Sequence, residues 1–179
     1  MSTVPVIATE RLRLRPLVSD DADALHDIYS DAEAMAWWSH GPHETFAQTQ
    51  AKVAESLVAD GWRGWAITLI GDDRAIGTLG AHEKRQGAVV EIGYSLARAR
   101  WGAGLATEAL TALLDYLFEI DRARRVYADT DPDNIRSNAV LRKLGFTLEA
   151  VLREEWETHI GVRDSNIWGL LSREWAARK

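Results

Sequence analysis

The sequence predicts an α/β fold, a mixed α+β sheet with helices on its faces, and three observations carry that reading. Runs that alternate apolar with polar residues interleave with runs of helical period, in the unequal order β-α-α-β-β-β-α-β-α-β-β. The three consecutive strands are joined by short turns, which makes them an antiparallel meander. Only the strand–helix–strand crossover spanning residues 88–130 demands a parallel pair.

Each element follows from its residues. Residues 11–17 set Leu12, Leu14 and Pro16 against Arg11, Arg13 and Arg15, the period of a half-buried strand that proline ends. Ser19 is placed to cap a short helix with Ala22, Leu25, Ile28 and Tyr29 on one face. After the loop WWSHGPH, residues 44–59 read as a second helix with Phe46, Val53, Leu57 and Val58 apolar. Strands follow at 64–70, 75–82 and 88–96, separated by Gly-Asp-Asp and Arg-Gln-Gly turns. The clearest helix is 104–119, where Leu105/Ala106, Ala109/Leu110, Leu113/Leu114 and Leu117/Phe118 recur against Glu108, Thr111, Asp115 and Glu119. A strand at 125–130, a helix at 134–144 closed by Gly145, and strands near 146–157 and 164–171 complete the pattern.

Composition bounds the function. A chain of 179 residues, 46% hydrophobic and 27% charged, reads as one globular domain, 1–179, large enough to bury a core without disulfide or structural metal. The absence of cysteine removes thiol nucleophiles, zinc ribbons and iron–sulfur clusters. The balance of 21 basic and 27 acidic residues, net charge −6, argues against a nucleic-acid partner and mildly favours a cationic one. No stretch approaches a membrane span and the amino terminus has no apolar signal core, so a cytoplasmic protein without a membrane partner, monomer or homodimer, is expected.

The chemistry enters at the crossover. In EIGYSLARARWGAGLATEAL, Gly102 and Gly104 stand between a strand and the first turn of a helix, where free backbone N–H groups and the helix dipole favour a phosphate. A tight connection without a ligand is the plainer alternative. A dinucleotide fingerprint would need a third glycine where Thr107 stands, and no Gly-Lys-Ser/Thr follows, so neither a nicotinamide cofactor nor ATP or GTP is indicated.

These residues resemble the GNAT N-acetyltransferases, in particular their RimJ/RimL-like branch. The branch's loop of the form Gln/Arg-x-x-Gly-x-Gly/Ala falls on Trp101-Gly102-Ala103-Gly104-Leu105-Ala106, continuing into Ala-Thr-Glu-Ala, with Trp101 departing from the pattern. A second segment, DTDPDNIRSNAVLRKLGF, is similar to the family's Asn-x-x-Ser-x-x-x-Leu-x-x-Leu-Gly-Phe at Asn134, Ser137, Leu141, Leu144, Gly145 and Phe146. TERLRLRPL and WGLLSREW also look like this branch, so the resemblance covers nearly the whole chain.

The resemblance implies a GNAT-like sheet splayed at an acetyl-CoA site and transfer of acetyl to a primary amine, on a small molecule or a protein N-terminus, by direct attack in a ternary complex. It implies cofactor contacts at Tyr94, Leu96, Trp101, Gly102, Ala103, Gly104, Ala106, Thr107, Asn134 and Ser137. Glu91 is the implied base, shared as a possibility with a solvated strand glutamate paired across the sheet. Ser137 is the implied hydrogen-bond donor or acid at the thiolate, its alternative being a first-turn serine bonded to its own backbone. A tyrosine acid four residues on is excluded by Leu141. Glu154, Glu155 and Glu157 are rival bases on the penultimate strand, held below Glu91. A non-catalytic acyl-CoA-binding or sensing module is the other class of function; it would keep residues 102–107 and dispense with Glu91 and Ser137.

Eight tryptophans are the unusual part of the composition. Most are expected in the core or over sheet edges. Trp37 and Trp38, with His43, lie in the connection that lines the acceptor site in this family, and form an aromatic wall for an apolar or cationic group or simply pack the loop down. His26, His40, His43, His82 and His159 lack metal-ligand spacing, so no metal is expected.

Overall fold

The computed structural model describes residues 4–85 and 87–178. Its strands are β1 (Ile7–Ala8), β2 (Leu12–Pro16), β3 (Trp62–Leu69), β4 (Asp72–Arg85), β5 (Val89–Leu96), β6 (Arg125–Thr130), β7 (Thr147–Thr158) and β8 (Gly161–Leu171). Its helices are α1 (Ala22–Tyr29), α2 (Phe46–Val58), α3 (Leu105–Asp115), α4 (Ile135–Lys143) and α5 (Ser172–Ala176). The strands form one sheet in the order β1-β2-β3-β4-β5-β6-β8-β7, in which β5 and β6 are the parallel pair. The expected order of elements is therefore present, with β1 and α5 added at its two ends.

The sheet has an apolar face on each side because its strands alternate. Leu12, Leu14, Trp65, Ile67, Leu79, Ala81, Val90, Ile92, Val126, Ala128, Trp168 and Leu170 join Leu105, Ala109, Leu110, Leu113, Leu114 and Leu117 in the larger cluster, together with Leu141 and Leu144 of α4. Each fully buried leucine here stabilises the fold by roughly 1.5–3 kcal/mol. The opposite face meets α1 and α2 through Leu17, Ala22, Leu25, Ile28, Val53, Ala66 and Ala75. A crossover helix packs on one face and a helix pair on the other, while the edge strand β7 stays exposed along most of its length.

Three local expectations change. Ser19 makes no cap bond: a 3-10 turn at Ser19–Asp21 precedes α1, and the Asp21 carboxylate instead accepts the Val18 N–H at 2.9 Å and pairs with Arg15 at 2.7 Å. A side chain that can hold both a backbone amide and an arginine outcompetes a serine hydroxyl. The helix expected over 104–119 is regular only to Asp115 and widens into a π-helical turn at Tyr116–Ile120. The middle strand of the meander runs longer than its apolar core, Asp72–Arg85 against 75–82, because backbone pairing continues where alternation has ended. Gln86 of the second meander turn lies outside the described residues.

α4 carries its boundaries in its sequence. Asn134 caps it by accepting the Ser137 N–H at 3.1 Å, and Gly145 leaves it at φ 90°, a left-handed conformation open to glycine.

Candidate active site

The parallel pairing of β5 with β6 is short. Its rungs are Val89 with Arg125, Val90 with Val126 and Glu91 with Tyr127; β5 then continues to Leu96 and β6 to Thr130 without further pairing to each other. The two strands part there, and the side of β5 that faces β6 has backbone groups beyond Glu91 with no ladder partner. On its other side β5 stays paired to β4 as far as Leu96.

The Gly-x-Gly turn follows at once. Trp101 is anchored by its indole N–H, which donates to the Leu96 carbonyl at 2.7 Å. Gly102 and Gly104 adopt φ 76° and 78°, and a Cβ at Gly102 would meet no heavy atom within 4 Å, so the backbone lies open to an approaching group. The ladder of α3 begins with the Glu108 N–H on the Gly104 carbonyl at 3.0 Å, so the amides of Leu105, Ala106 and Thr107 lie ahead of it. Arg11 braces the loop from β2's side: it donates to the Ala103 carbonyl at 3.0 Å and pairs with Glu108 at 2.6 Å. Arg136 of α4 places its guanidinium 4.5 Å from the Trp101 ring centroid and also pairs with Glu33, so cationic side chains border the turn.

Glu91 sits on the α1/α2 face at the last rung before the strands part. His82 on β4 and Tyr127 on β6 flank it in register, and the Tyr127 O–H lies 3.4 Å from Glu91 Oε2. Beside it Gly93 has nothing within 4 Å of where a Cβ would stand. One strand away the Trp62 ring covers Gly80 so closely that a Cβ there would overlap it. The glutamate thus borders a recess floored by glycine. Asp129, two residues beyond Tyr127 on the same face of β6, was not singled out from the sequence; it accepts the Trp156 indole N–H at 3.0 Å and a bond from the buried Ser165 hydroxyl. The alternation Arg125, Tyr127, Asp129 was the signal that could have found it.

Ser137 stands on the other side of the parting, in the first turn of α4. Its Oγ is 2.5 Å from the Tyr94 hydroxyl, a contact that bridges strand and helix. Burial pushes the Tyr94 phenol up to about 12, against which its bond to Ser137 acts.

The residues expected at the acceptor divide. Trp37 is exposed, with the Arg163 guanidinium 5.7 Å from its ring and Arg163 itself held by Asp131 and Asp133. Trp38 is half-buried beside His40, at 6.3 Å between centroids. His43 turns inward: its Nδ1 lies 2.9 Å from the buried Thr49 hydroxyl, which also meets His26, and its ring lies 5.3 Å from Tyr29. Burial and then the neighbouring His40 and His26 keep its pKa below the ordinary histidine value. Glu154, Glu155 and Glu157 all lie exposed on β7, Glu154 at a bulge with φ 53°. Thr107 borders a cleft shared with Lys143, Leu144 and Trp175, and its carbonyl accepts from Thr111. Among the described residues no group of histidine or acidic side chains is arranged to hold a metal, and no helix is long and apolar enough to cross a membrane.

Comparison with known proteins adds an independent line. A family model described as an acetyltransferase (GNAT) domain matches residues 11–147. Over 172 residues the chain is 33% identical to the uncharacterized N-acetyltransferase p20 of Bacillus licheniformis, covering 94% of this chain and 97% of that one. It is 26% identical over 154 residues to the spermidine N(1)-acetyltransferase of Escherichia coli strain K12, covering 81% and 77% of the two chains. A crystal structure of a GNAT-family acetyltransferase from Bacillus anthracis, 26% identical, has a TM-score of 0.86 and covers 95% of this chain and 100% of that one.

Proposed function

Given that the chain belongs to the GNAT acetyltransferase family and is an acyltransferase, we propose that it moves an acetyl group from acetyl-CoA to a primary amine, with both substrates bound and no covalent enzyme intermediate. The observation that carries this reading is the parting of β5 from β6 beyond Glu91, directly beside a glycine turn that opens a helix. A slot of unpaired backbone leading to a nest of free amides matches an extended amide-bearing arm that ends in a pyrophosphate.

The residues present fit that group. The amides of Leu105, Ala106 and Thr107, with the backbone of Gly102, Ala103 and Gly104, would hold the pyrophosphate, and the unpaired backbone of Tyr94 and Leu96 would hold the arm. Acetyl-CoA supplies the activated acetyl carbon and a thiol leaving group of ordinary pKa about 8.5. The chain's own share is proton handling and positioning. Glu91 takes the proton of the attacking nitrogen, directly or through water, and the Ser137 hydroxyl donates to the departing sulfur. Backbone N–H groups of β5 beyond Glu91 steady the oxyanion. Asn134 fixes the turn on which Ser137 stands. Trp101 contributes an anchored loop in place of the polar side chain of the RimJ/RimL-like pattern, the branch to which we assign the chain on its two motifs.

Trp37 and Trp38 form the acceptor wall, with His43 behind them as the support of the loop. The acceptor is a primary amine of a small molecule or a protein N-terminus; the relation to a spermidine acetyltransferase makes polyamines the first small molecules to try.

Thiol release from acetyl-CoA, followed across polyamines, amino-acid amides and peptides with free N-termini, tests the reading. Release that depends on one amine class is expected. Binding of acetyl-CoA with no amine-dependent release would replace the enzyme by an acyl-CoA-binding module.

A further inference from the structure

Ser137 does not stand alone: its side-chain hydroxyl meets that of Tyr94. The Tyr94 hydroxyl lies 2.5 Å from Ser137 Oγ and 3.5 Å from the Ser137 carbonyl, so the side-chain contact is the real bond. We infer that Tyr94 is the positioning residue for Ser137: the phenol donates its proton to Ser137 Oγ, which leaves the serine's own proton to point into the gap between β5 and β6. The inference rests on the proposed role of Ser137 as hydrogen-bond donor to the departing sulfur.

The direction of the bond follows from the two hydroxyls. A phenol is a far better donor than an aliphatic alcohol and a poorer acceptor, because its lone pair is shared with the ring. Burial holds the Tyr94 phenol at about 12, so it keeps its proton throughout the neutral range. The Ser137 N–H is already taken by Asn134 Oδ1, and among the described residues its Oγ has no partner besides Tyr94. Without the phenol, the hydroxyl of a first-turn helix serine turns to nearby backbone carbonyls. With it, one lone pair of Oγ is occupied and the O–H is polarised, which strengthens the bond it gives onward.

The placement agrees. Tyr94 lies on the stretch of β5 that has already parted from β6, and its ring packs against the larger cluster, so the hydroxyl is carried by a rigid strand. Sequence separation hid the pair, since the two residues stand 43 positions apart. No proton leaves Tyr94 for good: the bond orients the serine, and the phenol remains neutral before and after transfer.

The test is a titration of the thiol of CoA bound to the enzyme, read from the near-ultraviolet absorbance of the thiolate. A hydroxyl that donates to the thiolate lowers its pKa. Ser137→Ala is expected to raise the bound thiol's pKa, and Tyr94→Phe to raise it in the same direction, lowering the thiolate fraction about 3- to 10-fold at fixed pH. The double variant should go no further than Ser137→Ala. Fluorotyrosine at position 94, a stronger donor of the same shape, should move the pKa the opposite way, a sign that lost packing cannot produce. In acetylation, Tyr94→Phe should lower kcat with the KM for acetyl-CoA unchanged. A shift in Ser137→Ala alone, or additive shifts in the double variant, overturns the role of Tyr94. An unshifted Ser137→Ala enzyme overturns it through the serine, while failure of the wild-type protein to bind CoA brings down the cofactor reading itself.

Discussion

Tyr127 donates its phenolic proton towards Glu91 Oε2 across 3.4 Å, at the last rung that joins β5 to β6. The pairing places a carboxylate at the point where the sheet parts. It faces the recess over Gly93, on the side of the sheet that α1 and α2 cover, while Ser137 approaches from the helix that follows β6. The proposed proton acceptor and the proposed donor thus stand on different sides of one gap.

Glu91→Gln is expected to cut kcat/KM about 100-fold near neutral pH. An alkyl ammonium of pKa about 10 is almost wholly protonated there, and the defect should shrink as rising pH frees the amine unaided. A pH–rate profile of the variant checks this; a profile parallel to the wild type would move the base to Asp129 or to water.

Gly104→Val should weaken CoA binding by about tenfold or more, because a β-branched residue at φ 78° is strained and narrows the approach to the first amides of α3. Calorimetry gives the affinity, and a melting curve separates loss of the site from loss of the fold. Unchanged affinity in a folded variant would remove the turn from the cofactor site.

Trp37→Ala should raise the acceptor KM several-fold and leave both acetyl-CoA affinity and the melting temperature nearly unchanged, since the indole is exposed. Trp38→Ala, at a half-buried position beside His40, should lower the melting temperature as well. Equal effects of Trp37→Ala on the two substrates would show that the loop is packing alone.

Glu108 ties α3 to the chain's first strands. Burial opposes its charge, but the Thr9 hydroxyl and the Arg11 amide and guanidinium overcome that and hold its carboxyl below the usual range. A carboxylate depressed by folding contributes stability above its unfolded pKa, and that contribution is lost as pH falls through the folded value. Glu108→Gln should therefore melt lower than wild type at neutral pH, with the gap closing in acid. Melting curves across that range decide it; a gap that persists in acid would assign the effect to packing.

Much of the fold is legible in the sequence. The helix that became α3 declared itself because paired apolar residues recur at its period, and the parallel crossover followed from connectivity alone. Gly102 and Gly104 mark the turn between β5 and α3 in the sequence, and both adopt the left-handed conformation that favours glycine. β1 and α5 were not legible: two and five residues carry too little periodicity, and both exist by pairing or packing against elements already formed. The cap assigned to Ser19 failed because an arginine distant in the fold's logic, though near in sequence, recruited Asp21 instead. Tyr94 was read for its backbone; that its hydroxyl reaches Ser137 depends on how α4 returns over the sheet, which no local pattern encodes.

A crystal structure with CoA and an amine acceptor bound would test the central claim most directly. The account predicts the pyrophosphate on the amides of Leu105, Ala106 and Thr107, the arm between the parted ends of β5 and β6, and the sulfur within hydrogen-bond reach of Ser137 Oγ, with the acceptor nitrogen on the Glu91 side. A pyrophosphate seated away from the Gly102–Gly104 turn, or a sulfur beyond the reach of Ser137 and an amine remote from Glu91, would contradict it.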